Sequence, residues 1–420
     1  MRGFPLPTRI GARFAWLWHH RHRFRETSQA VQPRLLVDVS AIIRHDAQTG
    51  IQRVVRAVWS ELQLHEARDF ELVPVYAAQS HGYCYAPMDF LDTPVVRGTS
   101  DPVQARFGDK FLGLDLSAHI LPKWRQQLRV WRSHGATVHL VVYDLLPILS
   151  PQWFNSKATA HFHNWFSVIA EDTDQAICIS NQVARDLRER LRQRSGASTV
   201  RIVNMSLGGD IAKSLPSEGL CDDVLHLVDR LRFRPAILMV GTIEPRKAYH
   251  IALEAFEYLW RNRGGDAPDL VIVGKPGWKT KALQRRLRTH PEYGKRLHWL
   301  DGVTDEGLSL LYESCRGLFV ASLGEGFGLP LAEALAHGRY VLARDLPVFR
   351  EQNLPNTLFF DDDHPAALAE QLMELTRIGA MPTLPKIETP TWEDSVKQLL
   401  EKMDIPATTA SVHSLSRAVP

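Results

Sequence analysis

Short apolar segments, each ended by a polar or glycine-containing loop and followed by a helical pattern, alternate along most of this chain. That alternation constrains the fold more than any other feature. Arg34–Ser40 (RLLVDVS) is a strand candidate, the loop RHDAQTG follows, and Ile51, Val54, Val55, Val58 and Leu62 then share one face at helical spacing. Glu71–Ala77, Thr137–Asp144, Gln175–Ser180 and Val200–Asn204 read as further buried strands, with Asn181–Arg192 a charged amphipathic helix. Ser206–Asp223 is interrupted by Gly, Ser and Pro and reads as a hinge. Beyond it the alternation resumes, with strands expected at Ala236–Val240, Leu270–Val273, Leu297–Leu300, Leu318–Ala321, Tyr340–Ala343 and Leu358–Phe360. Helices are expected between them, among them Tyr249–Trp260, Asp305–Ser314 capped by Thr304, and Ala366–Arg377, with Trp392–Met403 last. Two runs of βα units predict an α/β protein of two doubly wound, Rossmann-like domains, with a ligand in the crevice at the carboxyl ends of the strands.

Length and charge agree with that division. At roughly 150 residues per domain, 420 residues allow two or three domains. The expected boundaries are a leader over 1–32, domains over 33–215 and 216–390, a helix over 391–405 packing back on the first domain, and a disordered tail over 406–420. Lys+Arg 50 against Asp+Glu 47 gives no global reason to expect nucleic-acid binding. The longest apolar run, Val138–Leu149, is broken by Asp144 and Pro147 and falls short of a membrane span. Cys84, Cys178, Cys221 and Cys315 form no CxxC pair, which disfavours a disulfide scaffold and fits a reducing, cytoplasmic setting. The balance of charge hides one asymmetry. Within residues 1–30, six arginines mingle with Phe14, Trp16, Leu17 and Trp18 against the single acid Glu26. This is the composition either of a membrane-surface segment or of a basic leader with no specific role. The nearby His19, His20 and His22 are a weak metal-binding pattern.

The loops after strands carry the chemistry. Gly324-Glu325-Gly326-Phe327-Gly328-Leu329 leads into a helix bearing Glu333. Gly326 and Gly328 admit close backbone approach to a ligand, and the helix start adds a partial positive charge. Fixed backbone donors plus a carboxylate acceptor suit a neutral, hydroxylated ligand, and Glu333 could take a vicinal diol. The plainer alternative is that Glu333 only caps its helix or pairs with a surface arginine. In Gly241-Thr242-Ile243-Glu244-Pro245-Arg246-Lys247, two adjacent cations follow a strand. A diphosphate needs such a pair, since a helix dipole supplies only ~0.3–1 kcal/mol against ~1.5–3 kcal/mol for one hydrogen bond to a charged group. The loop lacks the GxxxxGK[ST] pattern of a P-loop.

GTIEPRK, VGKPGW, TDEGLSLLYESC and SLGEGFGLPLAEALAHG, in that order, resemble the nucleotide-sugar domain of retaining GT-B glycosyltransferases of family 4, over about Ala236–Glu370. Leu36–Arg56 resembles the acceptor-side start of bacterial members that build O-antigen, capsule or exopolysaccharide. The resemblance implies a GT-B fold and a set of roles. Arg246 and Lys247 would hold the leaving diphosphate, faced by Gly50 from the other domain. Glu333 would bind the ribose. Gly274, Lys275 and the segment around Val303 would line the base. Glu325 would stand at the donor sugar, whose hydroxyls would meet Gly326, Phe327, Gly328 and Leu329. No cofactor or metal is expected, because the two cations do that work. The partners implied are a nucleotide-sugar donor, GDP-mannose first, and a glycan or lipid-linked glycan acceptor at the inner face of a membrane.

Two departures qualify this. Thr242 stands where many relatives carry arginine, and Tyr143 where many carry histidine before Asp144. Tyrosine is a poor proton acceptor near neutral pH, so only Asp144 is kept there as a catalytic candidate, beside Glu325. The alternatives are another donor (a UDP- or dTDP-sugar, or GDP-rhamnose), an epimerase or phosphorolytic enzyme on the same fold, and a catalytically silent glycan-binding partner.

Overall fold

The computed structural model describes residues 32–405 apart from 47–48, 66–69, 79–81, 93–100, 195, 197, 212–216 and 381–388. The basic leader, its histidines and the tail after Ile405 lie outside the described residues.

The chain builds two sheets. The first contains β1 (Arg34–Asp38), β2 (Glu71–Ala78), β3 (Gly82–Tyr85), β4 (Lys110–Gly113), β5 (Thr137–Val142), β6 (Gln175–Cys178) and β7 (Arg201–Asn204), in the order β3-β2-β1-β4-β5-β6-β7. All neighbours are parallel except β3, which runs antiparallel to β2. The second contains β8 (Ala236–Val240), β9 (Asp269–Val273), β10 (Leu297–Leu300), β11 (Gly317–Val320), β12 (Tyr340–Arg344) and β13 (Thr357–Phe360), ordered β10-β9-β8-β11-β12-β13 and wholly parallel. Strands such as β1, β9 and β11 are buried along their whole length, which is why they read as continuous apolar runs rather than alternating ones.

In each sheet the chain works outward from its first strand and then returns to the other side of it. The strand order therefore reverses between β1 and β4, and again between β8 and β11. Ligands bind outside the carboxyl ends of strands at such switch points. The loops placed there are 39–46 after β1, GTIEPRK after β8 and GEGFGLP after β11.

Each domain has its own core. Leu35, Val54, Trp59, Phe111, Val141 and Ile177 pack in the first, and the second sheet is covered on both faces, by clusters around Phe256 and Leu372 and around Leu311 and Leu335. The helix Trp392–Lys402 belongs to the first core, although it follows the second domain in sequence. Its Trp392 indole donates to the Asp210 carbonyl at 3.0 Å, Gln398 Oε1 accepts from the Ser206 amide, and Trp392, Val396, Leu399 and Leu400 are buried. The chain thus passes between the domains twice.

The loop after β1 is held from beneath. Asp38 accepts from the hydroxyls of Tyr83 at 3.0 Å and Ser117 at 2.9 Å, and from the Ser40 amide. Asp115 Oδ2 accepts from the amides of Ala41 at 2.7 Å and Ile42 at 2.6 Å. Burial pushes the Asp115 carboxyl up to about 7, and the neighbouring Asp38 charge adds to the effect.

Candidate active site in the interdomain cleft

The helix Gly50–Leu64 opens with a capping box, Thr49 and Gln52 each bonding the other's backbone, and this fixes Gly50 and Arg53 at its first turn. The helix Leu329–Ala336 starts differently. Gly328 at φ 97° is its N-cap and supplies no side-chain acceptor, and Pro330 removes one of the first amides. A side chain on Gly328 would also strike the Phe349 ring. Between the two helix starts lies a cavity of about 390 Å³. The thirteen residues singled out from the sequence all line it. Gly50 and Asp144 come from the first domain. Arg246, Lys247, Gly274, Lys275, Val303, Glu325, Gly326, Phe327, Gly328, Leu329 and Glu333 come from the second.

Glu325 is the electrostatic centre. Arg246 Nη1 donates to Glu325 Oε2 at 2.7 Å and to the Gly324 carbonyl at 3.0 Å, and Lys247 Nζ donates to Glu325 Oε1. Burial alone would raise the Glu325 carboxyl, but Arg246 and then Lys247 outweigh it and hold it at about 2. Arg246 Nη2 lies 2.8 Å from Glu244 Oε1, while Glu244 Oε2 is buried with no partner among the described residues. Burial pushes the Glu244 carboxyl up, with Arg246 and Lys247 opposing. Arg246 therefore directs at least three of its N–H groups at protein oxygens. A lysine ammonium has three donors, and among the described residues Lys247 engages one of them, on Glu325. Of the pair, Lys247 is the better placed to reach a further anion.

Asp144 sits across the cleft. Its Oδ1 accepts the Leu146 amide at 3.0 Å, and burial pushes its carboxyl up against the opposing pull of Arg246. Tyr143 turns away from chemistry. It is 3% exposed, its hydroxyl donates to the Leu114 carbonyl at 2.7 Å, and burial drives its own ionisation far above the ordinary range. Its backbone faces the other domain instead, so close that a Cβ on Gly326 would lie 2.0 Å from the Tyr143 oxygen. Trp278 makes a second contact between domains, its indole donating to the Trp153 carbonyl at 2.9 Å.

At the other end of the cavity, Glu333 meets partners that the sequence did not single out. Glu333 is 2% exposed, its Oε2 accepts the Tyr312 hydroxyl at 2.9 Å, and its Oε1 accepts from Arg53 Nη1. Arg53 Nη2 donates to Asp305, whose second oxygen takes the Ser217 amide and hydroxyl at 2.9 and 3.0 Å. Burial works against both charges, yet Glu333 and Asp305 keep the Arg53 guanidinium charged, and Arg53 helps hold the Asp305 carboxyl below its usual value. Glu333 does pair with an arginine, but with a half-buried one from the other domain and not a surface one. Arg53, Glu244, Asp305 and Tyr312 lie within the quoted motifs, but the sequence reading assigned them no role. For Arg53 the available signal was an arginine on the first turn of a helix following a strand-end loop.

Among the described residues, no group of three His, Cys, Asp or Glu side chains is arranged to hold a metal ion. The Asp361–Asp363 run is a solvent-facing turn, with Asp363 paired to Arg344. No helix among the described residues is long and apolar enough to cross a membrane.

Comparison with known proteins agrees with this geometry. Residues 232–383 match the family "Glycosyl transferases group 1". The chain is 37% identical over 385 residues to the serotype-specific mannosyltransferase WbdA of Escherichia coli, a match covering 90% of this chain and 47% of that protein. It is 32% identical over 145 residues to O-antigen chain mannosyltransferase B of Escherichia coli, covering 34% of this chain and 36% of that one. The chain thus spans about half the length, or less, of these curated relatives. Among solved structures, Anabaena HepE in complex with UDP and glucose superposes with a TM-score of 0.59 at 15% identity, covering 89% of this chain and 99% of that one. Sucrose-phosphate synthase from Thermosynechococcus elongatus superposes at 0.56 and 15% identity, covering 89% and 98%. A family match that starts just before β8 and runs beyond β13, together with two facing doubly wound sheets, means that the chain carries a glycosyl transferases group 1 domain within a two-domain GT-B fold.

Proposed function

We propose that the chain is a retaining hexosyltransferase that moves mannose from GDP-mannose onto a growing cell-surface glycan of the O-antigen kind, without a metal ion. The observation that carries this is the Arg246–Lys247–Glu325 cluster at the carboxyl ends of β8 and β11, opposite Glu333 in one interdomain cavity. The similarity to mannosyltransferases named for serotype and O-antigen supports the choice of sugar and acceptor.

In this scheme Lys247, aided by Arg246, binds the diphosphate and stabilises the charge that develops on it. The bond from the anomeric carbon to the phosphate oxygen breaks, and its electron pair stays on that oxygen. The acceptor hydroxyl attacks from the same face, and its proton passes to the departing phosphate oxygen. The buried, ionised Glu325 serves as a fixed acceptor for donor-sugar hydroxyls, and the start of the helix Leu329–Ala336 supplies backbone donors. Positioning and leaving-group stabilisation carry the rate. Glu333 takes the ribose, while Gly274, Lys275 and Val303 border the base. Asp144 faces the sugar from the other domain. The acceptor enters along the loops after β1 and β5.

Lys247→Ala tests the assignment. Transfer should be abolished while the melting temperature stays near wild type, and near-wild-type turnover in the variant would overturn the phosphate role. A thermal-shift panel of GDP-, UDP-, ADP- and dTDP-sugars tests the donor, with the largest stabilisation expected from GDP-mannose.

A further inference from the structure

Glu333 is asked to receive two hydroxyls at once, and that demands a carboxylate fixed in rotation as well as in place. The last torsion of a glutamate is broad, so a single hydrogen bond leaves the carboxylate plane loosely set. Tyr312, in the same domain and 1% exposed, holds only Oε2. The other oxygen is held by Arg53, which comes from the opposite domain. Arg53 is in turn clamped by Asp305 and seated on a helix turn fixed by the Thr49–Gln52 capping box.

We infer that Arg53 is a positioning residue, orienting the Glu333 carboxylate across the cleft to accept the two ribose hydroxyls of the nucleotide, so that the ribose pocket is complete only when both domains meet. The inference rests on the reading of the cavity as a nucleotide-sugar site. It differs from simple competition between Arg53 and ligand for one reason. A carboxylate offers about four lone-pair sites. Arg53 and Tyr312 use two, one on each oxygen, which leaves about two for a vicinal diol. The guanidinium also has a donor in reserve, because Arg53 Nε is buried with no acceptor among the described residues and the residue lines the cavity. A lysine cannot replace it, since one ammonium cannot span Glu333 and Asp305 in a fixed plane.

The test is a ribose-selectivity measurement by calorimetry. Wild type, Arg53→Lys and Arg53→Gln are titrated with GDP, UDP and ADP and with their 2′-deoxy counterparts. Circular dichroism and melting check that each variant is folded, and Lys247→Ala serves as the phosphate-side control. Wild type should bind its preferred diphosphate about ten-fold or more tighter than the deoxy form, as expected for one lost hydrogen bond to a charged group. Arg53→Gln should weaken the ribonucleotide by a similar factor and leave the deoxynucleotide nearly unchanged, so its selectivity collapses. Arg53→Lys should retain more selectivity than Arg53→Gln. Equal losses for both nucleotides, or wild-type selectivity in the variants, would overturn the inference alone, provided that wild type binds and Lys247→Ala does not. Absence of diphosphate binding by wild type would overturn the nucleotide-site reading and the inference together.

Discussion

At the scale of single residues, Glu325 is a buried carboxylate that Arg246 and Lys247 hold ionised. Its value in the folded chain lies below the ordinary one, so its contribution to stability is fully present above about pH 4.5 and is lost as pH falls toward about 2. It stays ionised throughout the neutral range and should add no limb to the pH–rate profile there. Its charge also restrains Arg246 and Lys247, which has an unusual corollary. Glu325→Gln should lower turnover by ~10- to 100-fold, the size of one or two lost charged hydrogen bonds, while nucleoside diphosphate binds as tightly as before or more tightly. Single-turnover kinetics beside calorimetry would separate the two effects, and parallel losses in both would argue against the sugar-side role of Glu325. Tyr143 shows how a substitution can change the meaning of a position, because its hydroxyl is tied to the Leu114 carbonyl.

At the scale of elements, the strand-end loops were legible because parallel strands and the glycines that follow them leave strong local marks. Asn181–Arg192 and Asp305–Ser314 fold over the residues their periodicity marks, and Thr304 accepts from the Gly307 amide as its position before the acidic turn implied. The misses have physical reasons. β3 (GYCY) and β4 (KFLG) are too short to show a period, and β3 pairs antiparallel as an edge addition. The helix Ser156–Asp172 interleaves His161, His163 and Asn164 with its apolar residues, which blurs the stripe. Arg53 was passed over because the apolar side of its helix carried the pattern, whereas its partners Asp305 and Glu333 lie 252 and 280 residues away. The support of the loop after β1 escaped for the same reason: Asp115 acts on amides more than seventy residues distant. That support carries its own prediction. The folded Asp115 holds its proton up to about pH 7 while the unfolded chain releases it near 4, so this group makes stability fall as pH rises through that window, by at most about 1.4 kcal/mol per pH unit. Asp115→Asn keeps an oxygen for the Ala41 and Ile42 amides and should flatten the slope. Melting temperatures of both proteins from pH 5 to 8 would check it, and identical slopes would count against it.

At the scale of the whole molecule, the site exists only as a contact between two domains. Gly326 against the Tyr143 carbonyl and Trp278 against Trp153 set how closely they approach. Gly326→Ala should hold the cleft open and cut transfer by at least ~100-fold, the cost expected when reacting groups are misplaced by about an ångström. Both sheets should keep their melting behaviour, and solution scattering should report the more open shape. An unchanged rate would mean that the contact does not govern closure.

The two passages of chain between the domains have a further consequence, for how the protein is made. The core around β1 and β4 is finished only by Trp392 and the helix it begins. During synthesis that core emerges first but must wait, with the seat of Trp392, Leu399 and Leu400 uncovered, while the whole second domain is translated. At ribosomal rates the wait is on the order of ten seconds or more. The nascent chain therefore presents an apolar groove long after most of its first sheet has formed, and a chaperone that shields this groove would act until the final helix arrives to close it.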